Sequence, residues 1–349
     1  MIPVENIYYM LSYAFKILKQ EQYKSVQAEE YKNAEELYAA ILERGIAAQI
    51  KRGMQRGYVA RTESLTIPRG KIEVSQSIRD MSHIKKQLVC TYDEYMTDTY
   101  MNRVIKSTVH LLLRSDITPE RKKKFRKQMR YFCEVELLDV RRINWHMNFD
   151  RNNQTYRMLI GICYLIVHGL LQTETEGTHY LMGFSEPYFP WLYENFVYEY
   201  YQQEFPILNV SAPTIRWQLD NDFDELLPKM KTDITLSYND KILIIDTKAY
   251  ERIIQTHYDR RTIRSAHLYQ IFAYVKNKET ELSSTSHTVS GMLLYAHTDT
   301  DEPLNYTYLM SGNQISVVSL DLNCHHTEIA VQLNKIAWNY FGVEPRARR

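Results

Sequence analysis

The sequence predicts a mixed α/β protein in two parts, a smaller α+β domain followed by an α/β sandwich around a mixed sheet. Three observations predict it. Helix-period and strand-period stretches alternate from the start of the chain. A polar stretch at 173–178 separates an early group of elements from a later one, and the later group runs helix, three strands, helix, strand. At 349 residues the chain exceeds the usual size of one compact domain. Its 44% hydrophobic and 24% charged residues lie in the ordinary globular range, which argues against disorder and membrane spanning.

The first domain is assigned to residues 1–145. Apolar residues at three and four spacing make 7–18 and 34–50 amphipathic helices. Residues 58–67, 71–74 and 87–95 are short and strand-like, with Pro68-Arg69-Gly70 as a turn, and 101–113 is another helix. From Arg121 to Arg130 the chain reads RKKKFRKQMR, seven cations without an acid, opened by Thr118-Pro119-Glu120 as cap, first-turn proline and first-turn acid. Such a helix either tracks phosphate, docks on a partner or presents a plain solvated face.

The second domain, 146–349, opens with a strongly apolar helix at 156–171. After the polar stretch come a helix at 191–203, strands at 214–218, 231–238 and 241–249, a helix at 262–276 and a strand at 290–296. A hairpin at 306–310 and 314–318 and a closing helix at 327–340 complete it. This is the core order of the PD-(D/E)xK nuclease fold.

An Asp/Glu-x-Lys triplet occurs three times, and context separates the copies. Glu30-Tyr31-Lys32 and Glu120-Arg121-Lys122 lie in polar, helix-like surroundings, whereas Asp246-Thr247-Lys248 follows Ile242-Leu243-Ile244-Ile245, an apolar run rich in β-branched residues. With a period of two, Asp246 and Lys248 point to one face. Taking Asn239-Asp240 as a two-residue hairpin turn, paired positions sum to 479, and Asp233 falls opposite Asp246 at about 5 Å. Two carboxylates that close call for a cation between them. Hard oxygen ligands select Mg²⁺, with Mn²⁺ as substitute, bound by Asp233, Asp246 and the main chain of Thr247, with Glu194 as a further candidate. The opposing reading is an ordinary salt bridge at a strand edge. Gln270 and Tyr274, spaced i, i+4, share a helix face with His267 one turn earlier, and a Gln-x-x-x-Tyr helix after such a strand supports the site and the DNA backbone in one nuclease subgroup.

Motifs for other chemistries are missing: no G-x-x-x-x-G-K-[ST], no H-E-x-x-H, no G-x-S-x-G. Any nucleotide-driven motion must then come from another chain. The His325-His326 pair reads as surface. Four cysteines without a C-x-x-C pair read as buried thiols in a reducing compartment. With neither a secretory signal nor a long apolar run, the expected location is the cytoplasm.

These residues resemble the McrC family, the nuclease subunit of modification-dependent McrBC restriction systems, over nearly the whole chain. The resemblance is carried by Ile2-Pro3-Val4-Glu5-Asn6-Ile7-Tyr8-Tyr9-Met10-Leu11, Gly70-Lys71-Ile72-Glu73, Asn102-Arg103-Val104-Ile105-Lys106-Ser107-Thr108 and Leu192-Tyr193-Glu194-Asn195-Phe196. It continues through Thr232-Asp233-Ile234, Ile245-Asp246-Thr247-Lys248 and Leu268-Tyr269-Gln270. Ala249 stands where an aromatic is common. The resemblance implies a Mg²⁺-dependent DNA endonuclease with Asp233, Asp246 and Lys248 as catalytic residues, acting on methylcytosine-containing DNA. It also implies a partner, a McrB-like hexameric AAA+ GTPase, which binds the GTP and is stimulated by the N-terminal domain. Two alternatives remain at this level, a RecB-like recombination or repair nuclease and a non-cleaving activator subunit.

Overall fold

The computed structural model describes residues 2–150, 153–176, 189–221, 223–249, 254–257, 260–284, 286–297 and 303–347. The chain forms two compact units, one of Met1–Gln27 with Gly177–Arg349, the other of Ala28–Glu176. The later division falls inside the polar stretch at 173–178. It does not fall at 145, so the apolar helix belongs with the elements before it, and the first 27 residues belong with the C-terminal unit.

That N-terminal segment carries α1 (Val4–Ala14) and a single turn, α2 (Lys24–Gln27). Its place follows from buried polar and aromatic contacts. The Asn6 amide donates to the carbonyls of Leu322 (2.8 Å) and Cys324 (2.7 Å), and Tyr13 OH donates to Glu204 (2.6 Å). Tyr9, Tyr13, Phe196 and Tyr200 pack edge-on or tilted at centroid distances of 5.2–6.0 Å, within the range aromatic pairs favour.

In the unit Ala28–Glu176, α3 (Ala34–Arg52) starts where the Asn33 side chain accepts from the Glu36 N–H and stops at Gly53, whose φ is +96°. Strands β1 (Gly57–Leu65), β2 (Lys71–Ile72) and β3 (Leu88–Met96) form an antiparallel sheet in the order β1-β3-β2. The predicted Pro68–Gly70 turn therefore does not close a hairpin: β1 and β2 both pair with β3 instead. Gly70 has φ +71°, and a Cβ there would meet the Thr91 carbonyl at 2.5 Å, so only glycine fits. A short helix, α4 (Val74–Arg79), replaces the end of the predicted second strand.

Helix α5 (Tyr100–Leu112) is capped by Thr99, and α6 (Pro119–Met129) is the basic helix. The long α7 (Gln154–Glu176) packs on α3 and α5. Asn102 is fully buried and satisfied: its amide donates to the carbonyls of Gln55 and Thr97 and accepts from Tyr156 OH. Asp98 holds Arg103 at 2.6–2.8 Å through both carboxylate oxygens and accepts the Glu136 N–H.

The remainder of the other unit begins with α8 (Phe189–Glu204). A six-stranded mixed sheet follows, ordered β12-β13-β11-β8-β7-β4, from β4 (Asn209–Ser211), β7 (Ile234–Tyr238), β8 (Lys241–Lys248), β11 (Thr288–His297), β12 (Asn305–Met310) and β13 (Asn313–Asp321). Strands β8, β11 and β13 are mutually parallel, and β7, β4 and β12 run antiparallel to their neighbours. Small two-stranded pairs join β5 (Thr214–Ile215) to β6 (Met230–Lys231), and β9 (Ile254–His257) to β10 (Arg260–Ile263).

Helix α9 (Ser265–Glu281) lies on the face presented by Leu293, Ile315 and Val317. Helix α10 (His326–Phe341) lies on the opposite face, where Tyr340 OH meets Ser316 and Gln314. Tyr200 and Tyr201 of α8 donate to Asn334 and to the Leu333 carbonyl of α10. No helix among the described residues is long and apolar enough to cross a membrane.

Two smaller expectations change. The helix predicted from 262 starts at Ser265, because Thr262 and β-branched Ile263 take part in β10. Of the four thiols, all free, Cys90 and Cys163 are buried as expected, Cys324 is half-buried and Cys133 is exposed. His325 is exposed and caps α10, accepting from the Thr327 N–H, while half-buried His326 packs against Tyr9.

Candidate active site

The site is built at the C-terminal end of β8. Ile242 to Ile245 form the apolar part of a central strand, with Leu243, Ile244 and Ile245 buried and Ile242 half-buried because neighbours cover both edges and helices both faces; the chain turns polar as it leaves the sheet. The hairpin between β7 and β8 turns at Asn239-Asp240, with Asn239 at φ +53°, a conformation asparagine tolerates better than most residues. Ile234 pairs with Ile245, Leu236 with Leu243 and Tyr238 with Lys241, so the register is the one that sums to 479.

Asp233 departs from the expected position in one respect. The predicted strand 231–238 is broken. Met230 and Lys231 pair with β5, Thr232 donates its N–H to the Pro213 carbonyl, and β7 starts only at Ile234. Asp233 thus sits in a bend just ahead of the ladder. Its Oδ2 accepts from the Thr247 N–H (2.8 Å) and the Thr247 hydroxyl (2.9 Å). The carboxylate is fixed one residue beyond the position opposite Asp246, beside it without facing it squarely.

Asp246 and Lys248 share a face, as their spacing requires, and Lys248 Nζ lies 2.7 Å from Asp246 Oδ2. Asp246 is 1% exposed and its Oδ1 has no hydrogen-bond partner among the described residues. Burial, reinforced by the Asp233 charge and opposed by Lys248, pushes the Asp246 carboxyl up to about 6. Glu194, half-buried on α8, is pushed up to about 7, first by burial and then by the charges of Asp233 and Asp246. Three acids therefore share one electrostatic neighbourhood, including the one the sequence offered as an additional ligand.

Helix α9 supports Lys248 from the other side. Gln270 Oε1 accepts from Lys248 Nζ (3.1 Å), Gln270 Nε2 donates to Tyr274 OH (2.9 Å), and Tyr274 OH donates to the Lys231 carbonyl (3.1 Å). The Gln-x-x-x-Tyr pair thus forms one chain of hydrogen bonds from β8 to β6. His267 shares that stripe but bonds elsewhere: its Nδ1 meets Tyr295 OH at 2.8 Å. Burial and the charges of Lys248 and Arg264 bring His267 down to about 4, so it is neutral at pH 7.

Sequence reasoning missed Tyr295, Lys231 and Gly291. Tyr295 is the parallel-ladder partner of Lys248, a relation invisible without the β11–β8 register. Lys231 lies two residues before Asp233, and its charge partly offsets those of the acids at Glu194. At Gly291 a Cβ would meet Ile271 and Val275 at 2.8 Å, so the missing side chain lets α9 sit close on the sheet.

Among the described residues, no three His, Cys, Asp or Glu side chains form a ready-made metal cage. Mg²⁺ needs no such cage, since it uses one or two carboxylates and keeps several waters. The unpartnered Oδ1 of a buried carboxylate, with a second carboxylate beside it, fits such an ion.

A family model described as the McrBC 5-methylcytosine restriction system component matches residues 4–296. The chain is 29% identical over 343 residues to the type IV methyl-directed restriction enzyme EcoKMcrBC of Escherichia coli K12, covering 94% of this chain and 96% of that protein. Among solved structures it is similar to a half-complex from the tetradecameric assembly of Thermococcus gammatolerans McrB AAA+ hexamers with bound McrC. That match has 17% identity and TM-score 0.49, and covers 96% of this chain and 76% of the other. The Thermococcus gammatolerans McrBC complex also matches, with 20% identity, TM-score 0.37, and 49% and 55% of the two chains. With the family model spanning most of its length, the chain belongs to the McrBC 5-methylcytosine restriction system component family.

Proposed function

We propose that this chain is the DNA-cleaving, McrC-type subunit of a McrBC restriction assembly, a Mg²⁺-dependent phosphodiesterase of the PD-(D/E)xK fold. The observation that carries the reading is the buried Asp246 carboxylate, paired with Lys248 on one oxygen, unpartnered on the other and flanked by Asp233. An unpartnered buried carboxylate oxygen is costly, and such a cost is retained where a ligand relieves it.

In this reading Asp233, Asp246 and the main chain of Thr247 hold the ion, with Glu194 completing its surroundings. When bound, Mg²⁺ supplies charge stabilisation at phosphorus and acidifies a water. Asp246 orients Lys248 toward the scissile phosphate, and Lys248 stabilises the negative charge that develops in the transition state. Gln270 and Tyr274 hold the ammonium in place from α9. His267, neutral and bound to Tyr295, is a positioning group.

The sequence has no phosphate-binding loop, so the GTP is bound by a partner, a McrB-like AAA+ GTPase that this chain stimulates. The substrate class, DNA carrying methylated cytosine, follows the family description and the methyl-directed relative.

The test is a cleavage assay of the chain with its cognate GTPase on methylated and unmethylated DNA, with and without GTP and Mg²⁺. Cleavage confined to methylated DNA with both GTP and Mg²⁺ supports the reading. Stimulated GTP hydrolysis without any cleavage would leave a non-cleaving activator.

A further inference from the structure

The basic helix α6 does two different things with its charges. Arg121 is buried and points into the unit. Its guanidinium meets Glu36 at 2.9 Å, Glu29 at 2.6 Å and Glu43 at 3.7 Å, and Glu36 also accepts the Thr118 N–H. Lys124 adds a contact to Glu43 at 3.3 Å, Gln128 donates to the Glu43 carbonyl, and Phe125 is fully buried. Glu29, Glu36 and Glu43 are therefore engaged on the inner side of the helix, while Glu120 in its first turn is exposed.

On the outer side Lys123, Arg126, Lys127 and Arg130 are exposed. They are spaced i, i+3, i+4 and i+7, so they make one stripe along a single helix face. None has an ion-pair partner among the described residues. The stripe is about 10 Å long at the helical rise. A duplex of that length carries about six phosphate charges.

We infer that this stripe is a sequence-independent binding surface for the phosphate backbone of duplex DNA. The inference rests on the reading that the chain acts on DNA, and it adds a contact on the unit Ala28–Glu176, which does not contain the candidate active site. Two features favour polyphosphate over a protein surface. Lysine is depleted in the centres of protein interfaces, which rely on aromatic and apolar anchors. This stripe supplies two lysines and two arginines with no apolar side chain between them, and its one phenylalanine faces inward. The buried Arg121 network holds the helix independently of the stripe, so the outer cations can be removed without unseating it.

The experiment measures binding of a labelled, unmodified random-sequence duplex to the full chain by fluorescence anisotropy, from 20 to 200 mM salt. It compares the wild-type chain, K123Q/R126Q/K127Q/R130Q and the charge-conserving K123R/K127R. The expected result is at least tenfold weaker binding by the quadruple variant at about 50 mM salt. The slope of log affinity against log salt should be shallower by about 2 to 4, with K123R/K127R close to wild type. Thermal melting of the quadruple variant within a few degrees of wild type establishes that the fold persists.

Unchanged affinity and slope would overturn the inference. So would unchanged DNA binding together with lost stimulation of the partner GTPase, which would make the stripe a protein-docking surface. Failure of the functional reading looks different: an Asp246→Asn chain that binds DNA normally and an intact wild type that never cleaves would sink the nuclease while leaving the stripe.

Discussion

Lys248 Nζ lies 2.7 Å from Asp246 Oδ2 and 3.1 Å from Gln270 Oε1, so one ammonium ties the end of a central strand to the helix packed above it. The carboxylate in that pair is almost fully buried and its second oxygen has no hydrogen-bond partner among the described residues, an arrangement poor for stability and suited to binding. Asp246→Asn is therefore expected to abolish cleavage, by about 10³-fold or more, because the charge that opposes the ion is gone. Its melting temperature should equal or exceed that of the wild type, since a disfavoured buried charge is removed. Paired cleavage assays and melting curves check both halves. A strongly destabilised variant would make Asp246 a structural ion-pair partner.

Gln270 touches Lys248, and Tyr274 touches Gln270. Removing the first should cost about 10- to 100-fold in cleavage with the fold intact, the size typical of groups that orient a metal site from outside it. Tyr274→Phe, which loses the hydroxyl but keeps the packed ring, should cost less. Steady-state cleavage rates in the assembled complex rank the two, and the reverse order would break the proposed chain of support.

Gly291 lies under α9, where a Cβ would press Ile271 and Val275 at 2.8 Å. Gly291→Ala is expected to destabilise the protein by about 1–3 kcal/mol through overpacking. It should also lower cleavage, because lifting α9 moves Gln270 away from Lys248. Chemical denaturation gives the first effect. A destabilised protein with full activity would show that α9 does not position the lysine.

In the other unit Asp98 is 6% exposed and bound through both oxygens to Arg103. Desolvation alone would raise its pKa, but the Arg103 hydrogen bonds, the Glu136 N–H and the charges of Arg103 and Arg61 outweigh it, and the carboxyl is held below its usual value. A depressed carboxylate contributes stability that is present above the unfolded-state pKa and is lost as pH falls through the folded one. The stability of this unit should thus decline as pH drops below about 4. Asp98→Ala should cost about 3 kcal/mol at pH 7 and remove part of that acid dependence. Urea denaturation from pH 2.5 to 7 measures both, and parallel wild-type and variant curves would refute the assignment.

Much of the site was legible because a tight turn fixes register. The two residues Asn239-Asp240 sufficed to give the pairing of Ile234 with Ile245, while the Ile242–Ile245 run, apolar at every position, marked the strand without setting its register. The break before Asp233 was not legible. It depends on Met230 pairing with Ile215 and Lys231 with Thr214, across an irregular segment with no pattern of its own.

The parallel neighbours of β8 were equally hidden, since crossover pairing leaves no local mark, and Tyr295 was missed for that reason. The basic run was read as a single face. In the structure Arg121 turns inward to Glu29 and Glu36, acids more than 80 residues earlier in the chain that no local reading connects to it. Division at 145 failed in the same way, because Asn6 bonds to Leu322 and Cys324 at the far end of the sequence.

The most direct test of the central claim is Mn²⁺ binding to the metal-free chain, followed by titration calorimetry or by the loss of the free-ion electron paramagnetic signal. The account predicts one saturable site in the wild type, lost in both Asp233→Asn and Asp246→Asn and kept in Lys248→Ala. A wild-type chain that takes up no Mn²⁺, or variants that bind it as the wild type does, would contradict it.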